Sequence, residues 1–200
     1  INWITSIFNN VQTIYANDGI KLAIKSLYIW TEKDPYQGKE STDYLYQFGE
    51  VRPVFDGDVG QLLGIDPGGL GGVAYQINGL CSRNNFSYSD VNFEYSNLPL
   101  FSWDVYVITH ELGHLLGSPH THACAWNGNY TAIDNCGPTF SSTVTDGVQC
   151  LTTPPTIPTE EEKGTIMSYC HLKSSIGVNL ANGFGPQPAT LIFNTVNGKS

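Results

Sequence analysis

Two hundred residues can bury a substantial core in one domain, and 40% hydrophobic residues against 14% charged ones exclude a disordered chain. A net charge of −9 with no cluster of Lys or Arg excludes a nucleic-acid partner, because phosphate binding needs a basic face. No apolar run approaches the length of a membrane span.

The chain has neither an initiator Met nor a signal peptide and opens directly in a helical pattern, so it reads as a processed piece of a longer precursor. Ile4, Ile7, Phe8, Val11, Ile14 and Tyr15 share one face at helical spacing, and Gly19 ends that helix. IKLAIKSLYIWT (20–31) alternates at Ile20, Leu22 and Ile24 and stays apolar through Trp30, which predicts a buried strand. STDYLYQFGEV (41–51) predicts a helix capped by Ser41 or Thr42. GDVGQLLGI (57–65) predicts a strand, and a glycine-rich turn follows it.

GVAYQI (72–77) predicts a short strand flanked by glycines. Two readings stand for it: an ordinary sheet strand, or an edge strand kept narrow so that an extended peptide lies alongside. Residues 82–101 read as an irregular connection. Ser102 or Asp104 then starts a helix, DVYVITHELGHLLG, with Val105, Ile108, Leu112, Leu115 and Leu116 apolar. Gly, Pro, Thr and Ser dominate 117–165, and PQPATLIFNTV (186–196) predicts a closing helix with proline in its first turn. No fixed-period repeat occurs. The order of elements predicts one α+β domain over 1–200. A sheet-and-helix part (1–116) and a loop-rich part (117–200) meet at a cleft.

The five cysteines, Cys81, Cys124, Cys136, Cys150 and Cys170, include no CxxC pair, so a cysteine metal site is not expected. Four of them lie in the loop-rich part, which suits disulfides in an oxidising, secreted setting. Spacing does not decide the connectivity. The preferred arrangement is Cys124–Cys170 with Cys136–Cys150, leaving Cys81 free or paired outside the chain. The acidic run TEEEK (159–163) reads as a solvated loop; a calcium role for it stays open but unsupported. Asn85 and Asn129 stand in glycosylation sequons.

Four of the five histidines crowd into THELGHLLGSPHTH (109–122). His110 and His114, four apart on a helix, stack on one face and can approach one Zn²⁺. Glu111 sits one position round, placed to hydrogen-bond a water held on the metal. Six more helical residues would turn His120 by about 240° and carry it about 9 Å along the axis, away from that ion. Gly117 can take the left-handed conformation that ends a helix, and Pro119 stops it resuming, so the chain can swing His120 back. Three histidines leave one coordination position open, the mark of a catalytic zinc site. His122 and His171 read as loop histidines or hydrogen-bonders behind the ligands.

The string His110-Glu111-x-x-His114-x-x-Gly117-x-x-His120 resembles the zinc signature of the metzincin metalloproteases, and GTIMSYC around Met167 resembles their Met-turn. Within that clan the chain is most similar to the adamalysin, or reprolysin, family and its bacterial secreted branch. IFNNVQTIYANDGIKLAIKSLYIWTEKD, GGVAYQINGLC and SWDVYVITHELGHLLGSPHTHACAWNGN carry the likeness. The resemblance implies a metzincin-like α+β fold, with a mixed twisted sheet and helices above the loop-rich subdomain. It implies a secreted, monomeric zinc endopeptidase made as a zymogen with an inhibitory propeptide. Its ligands would be His110, His114 and His120, and its general base Glu111. A peptide substrate would lie along Gly72, Val73, Ala74 and Tyr75.

Two positions depart from the family pattern: Thr121 stands where animal members usually carry Asp, and Tyr169 is similar to the zinc-reaching tyrosine of astacins and serralysins. Tyr169 is therefore a candidate switchable ligand or oxyanion donor, with simple packing as the other reading. An astacin- or serralysin-type peptidase is the near alternative. A non-catalytic zinc-holding binding module and a purely structural zinc domain are the distant ones.

Overall fold

The computed structural model describes residues 1–66, 68–137 and 157–199, together with the backbone of Val144–Thr145 and Val148–Gln149. Helix α1 (Asn2–Asn17) buries Ile7, Val11, Ile14 and Tyr15, the stripe its periodicity predicts. Ile4 and Phe8, at the border of the stripe, are only partly buried. Gly19, at φ +78°, turns the chain out of the helix.

The buried strand expected at 20–31 does not form. These residues pair with no strand, and Ile24, Leu27, Tyr28, Ile29 and Trp30 are exposed. Side-chain alternation signals an apolar face, but a strand also needs a partner backbone to receive its N–H and C=O groups. Here the segment is tethered by side chains instead: Gln12 Nε2 donates to Leu22 O, Ser26 Oγ to Asp56 O, and the Arg52 guanidinium lies over the Tyr28 ring.

Helix α2 (Ser41–Val51) is capped by Glu40, one residue before the first predicted cap, Ser41. Glu40 and Asp43 each accept the other's backbone N–H in a reciprocal box, a longer-armed version of the Ser or Thr cap. Leu45 and Phe48 are its buried residues.

Strands β1 (Gly60–Gly64), β2 (Gly72–Ala74) and β3 (Phe86–Asp90) form a sheet in the order β1-β3-β2. β1 runs parallel to β3, and β2 antiparallel. The central strand β3 lies inside the stretch expected to be irregular. All five of its residues are buried, yet FSYSD alternates aromatics with serines. Phe86 and Tyr88 pack with Leu45 and Phe48 of α2, while Ser87 and Ser89 point to the opposite side. Small polar residues on a buried face are what hid this strand from a hydrophobicity reading. β2 is shorter than expected, because Asn78 takes φ +62° and the Asn78 and Leu80 N–H groups cap the carbonyls of His114 and Leu115.

Helix α3 (Trp103–Leu115) begins at Ser102, and every residue from Asp104 to Leu115 is buried. A helix buried all round needs neighbours on every side. It packs against β2 and β3 and against α1, and its core cluster continues through Ile166, Met167, Leu180, Phe184 and Ile192. Fully burying each such aliphatic side chain contributes about 1.5–3 kcal/mol. The fold is therefore α+β, with α2 on one face of the sheet and α1 and α3 on the other. No helix among the described residues is long and apolar enough to cross a membrane.

Among the described residues beyond Gly117 regular structure is sparse. Val144–Thr145 and Val148–Gln149 form a two-stranded ladder, Cys170–Leu172 and Leu180–Asn182 make single 3₁₀ turns, and α4 (Pro186–Lys199) closes the chain. The expected disulfide pairs are both overturned: Cys136 is bonded to Cys170, with their Cα atoms 4.8 Å apart. Residues 136 and 170, 34 apart in sequence, lie side by side, which linear spacing does not encode. Cys124 is also disulfide-bonded, Cys81 is free and exposed, and Cys150 lies outside the described residues.

Candidate metal centre

His110 and His114, one turn apart on α3, each bring Nε2 to 3.1 Å from Nε2 of His120. The opposite ring nitrogens are fixed by backbone: His110 Nδ1 lies 2.7 Å from Ile166 O, and His114 Nδ1 lies 2.7 Å from Ser118 O. A carbonyl only accepts, so both Nδ1 atoms carry the proton and the bare Nε2 lone pairs face the shared centre. Nitrogen ligands about 2.0–2.1 Å from a tetrahedral ion lie about 3.3 Å apart, close to what the rings show. Burial, then the neighbouring His114 and His120, pushes His110 well below the usual imidazole range, so it stands neutral and ready to ligate. Three imidazoles converging in this way can hold one divalent ion of the zinc type.

The third ring arrives by the reversal that the sequence requires. Ser118 N–H bonds Gly113 O and Gly117 N–H bonds His114 O, closing α3 while Gly117 adopts φ +112°. A Cβ there would also come within 2.6 Å of Thr195 Oγ1, so both conformation and space demand glycine. The loop is then pinned from below. Thr121 donates its N–H and its hydroxyl to Met167 O, and Trp126 Nε1 donates to His120 O. Gly113, between the two helical histidines, lets Met167 rise against α3; a Cβ there would stand 2.7 Å from Met167 Sδ.

Glu111 is buried beside the histidines, and its Oε2 has no hydrogen-bond partner among the described residues. Burial raises its pKa to about 8, opposed by the Ala74 backbone N–H directed at the carboxyl. The Tyr169 ring lies 4.4 Å from the His120 ring and 4.7 Å from that of His122, which itself stacks on His120. His171 stands further back, with Nδ1 2.8 Å from the Tyr106 hydroxyl.

The four strand candidates divide between two faces. Gly72 backs onto Glu111 and Ala74 packs into the α3 core. Val73 packs into the α2 cluster, and Tyr75 meets Tyr46 and Phe86. The register pairs Gly72 with Ser89 and Ala74 with Ser87, while β3 bonds Gly71 O and Tyr75 N–H. Alternation in an antiparallel ladder therefore turns the backbone groups of Gly72 and Ala74 away from β3, along the open edge.

A second group of metal-type side chains, Asp134, Cys136 and Cys170, is no ion site, because its two thiols are joined as the disulfide. The acidic run folds on itself, with Thr159 N–H donating to Glu162 and Glu162 N–H to the Thr159 hydroxyl. Sequence reasoning missed the hold of Thr121 on Met167 and the approach of Gly72 to Glu111. The glycine preceding VAYQ was the available signal for the second.

A relative, the zinc metalloproteinase recombinant fibrinogenase II of Deinagkistrodon acutus, is 31% identical over 141 residues, which cover 66% of this chain and 58% of that protein. The chain thus spans less than two thirds of that relative's length. A reprolysin family model, described as metallo-peptidase family M12, matches residues 1–170, including all three converging histidines, Glu111 and Met167; the chain belongs to that family.

Proposed function

We propose that the chain is the catalytic domain of a secreted zinc endopeptidase that cleaves peptide bonds within protein substrates. The observation that carries this reading is the convergence of three histidine Nε2 atoms beside a buried, incompletely bonded carboxyl. His110, His114 and His120 would hold the zinc. When bound, zinc supplies a Lewis acid that polarises the scissile carbonyl and acidifies a water.

The chain's own groups do the rest. Glu111 accepts the proton of the attacking water and returns it to the departing amine. The outward backbone groups of Gly72 and the Ala74 carbonyl hold the substrate extended and antiparallel to β2, in the cleft between 1–116 and 117–200, while the Ala74 N–H stays on Glu111. Tyr169, whose ring lies beside that of His120, would offer its hydroxyl to the developing oxyanion. Family membership and the zinc metalloproteinase relative support the reading.

Digestion of casein and of a quenched fluorogenic peptide tests it. Activity is expected to vanish with a chelator and to return on adding one equivalent of zinc. Glu111→Gln should keep the zinc and lose about 10²–10⁴-fold in turnover. Full turnover by that zinc-loaded variant would remove Glu111 from its role. Digestion indifferent to chelation would end the metallopeptidase reading.

A further inference from the structure

The outward edge of β2 reads first as a peptide-docking surface, but Gly72 has a more specific constraint. A Cβ built on it would run into Glu111 Oε1 and stand 2.6 Å from Cγ and 2.7 Å from Cδ. Contacts this close are not tolerated between carbon atoms, so any other residue must push the carboxyl away. Glu111 has little room to retreat, because it is only 4% exposed and lies on a helix buried along its length. Its orientation is otherwise loosely fixed: Oε2 has no hydrogen-bond partner among the described residues, and the Ala74 N–H is the one backbone donor directed at the carboxyl. The neighbouring Gly71 makes the contrast. A Cβ there meets nothing within 4 Å, and its φ is not in the left-handed region.

We infer that Gly72 is a positioning residue for the Glu111 carboxyl: its bare Cα forms the wall that, with the Ala74 N–H, aims the carboxyl at the metal centre. Displacement by a methyl group would shift the acid without touching a histidine. Glycine at 72 is thus required by the carboxyl beneath the strand more than by the peptide alongside it. The catalytic half of this inference rests on Glu111 acting as the base; the contact itself does not.

The test compares Gly72→Ala with Gly71→Ala in the full chain, and adds Glu111→Ala with and without Gly72→Ala. In zinc-loaded protein, Gly72→Ala is expected to lower kcat about 10²-fold, the usual cost of misplacing a reacting group by about an ångström. KM should stay within about threefold and zinc at one equivalent, since a lost orientation acts on the chemical step. Gly71→Ala should match wild type. A readout free of catalysis follows from thermal denaturation: Gly72→Ala lowers Tm when Glu111 is present and leaves it unchanged in the Glu111→Ala background, where the space has been vacated.

A rise in KM alone would make Gly72 a docking residue and overturn the inference. So would an unchanged kcat, or a Tm loss that persists without Glu111. If wild type cleaves nothing, the peptidase reading falls, while the Tm cycle still decides whether the strand and the carboxyl are in contact.

Discussion

His120 reaches the other two rings because Gly117 adopts φ +112° with Thr195 close behind it, a place where an added methyl group is both strained and crowded. Gly117→Ala is expected to cost about 1–3 kcal/mol of stability from the backbone conformation alone. It should also weaken zinc binding about 10–100-fold, as loss of a group that orients a ligand typically does. Competition against a chelating dye measures the second effect, and wild-type affinity would show that the reversal survives without glycine. His120→Ala should go further and release the metal under conditions that leave wild type loaded; undiminished zinc by atomic absorption would exclude it as a ligand. These residues were legible in the sequence because ligand spacing on a helix and a glycine–proline break are local facts. Thr121 was not, since its value lies in donating twice to the carbonyl of Met167, 46 positions away.

Helix α3 has its own electrostatic weak point. Asp104, in its first turn, is wholly buried, and desolvation raises its pKa to about 6 against the N–H groups of Asn92, Phe93 and Glu94 that favour the anion. A carboxyl whose folded pKa exceeds its unfolded value, 3.8, stabilises the fold fully below that lower value and loses the contribution as pH rises through about 6. Relative to Asp104→Asn, wild type should therefore lose roughly 1–3 kcal/mol between pH 4 and 7. Urea midpoints across that range check the sign, and a wild type that gains on the variant with rising pH would refute it. Helices apolar on one face at a 3.6-residue period, as α1 and α2 are, are readable in advance, whereas α3 is buried all round. β3 was unreadable because Ser87 and Ser89 occupy its buried face towards α3. The run at 20–31 misled in the opposite sense, since alternation alone supplies no neighbouring backbone.

Across the whole molecule, the candidate metal centre depends on two distant parts of the chain being held together. α3 supplies two histidines, and the turn around Met167 lies beneath it, bonded to Thr121 of the loop that carries the third. The Cys136–Cys170 disulfide fastens the same two regions a few residues further on, from the segment after His120 to the residue after Tyr169. Sequence could place cysteines in the loop-rich part but not pair them, because pairing reports the three-dimensional path and not the spacing. The bridge is expected to stabilise the fold by limiting the unfolded chain, and also to keep Tyr169 beside His120. Replacing both cysteines by alanine should cost about 2–5 kcal/mol in denaturant unfolding. Near the site, the same variant should lower zinc affinity by about tenfold or more, as loosening the outer support of a metal site does. Loss of stability with unchanged zinc affinity would assign the bridge to the fold alone. Loss of both, restored together by excess zinc, would show that metal and disulfide stabilise one and the same arrangement, because an ion that binds only the folded state raises its stability by mass action.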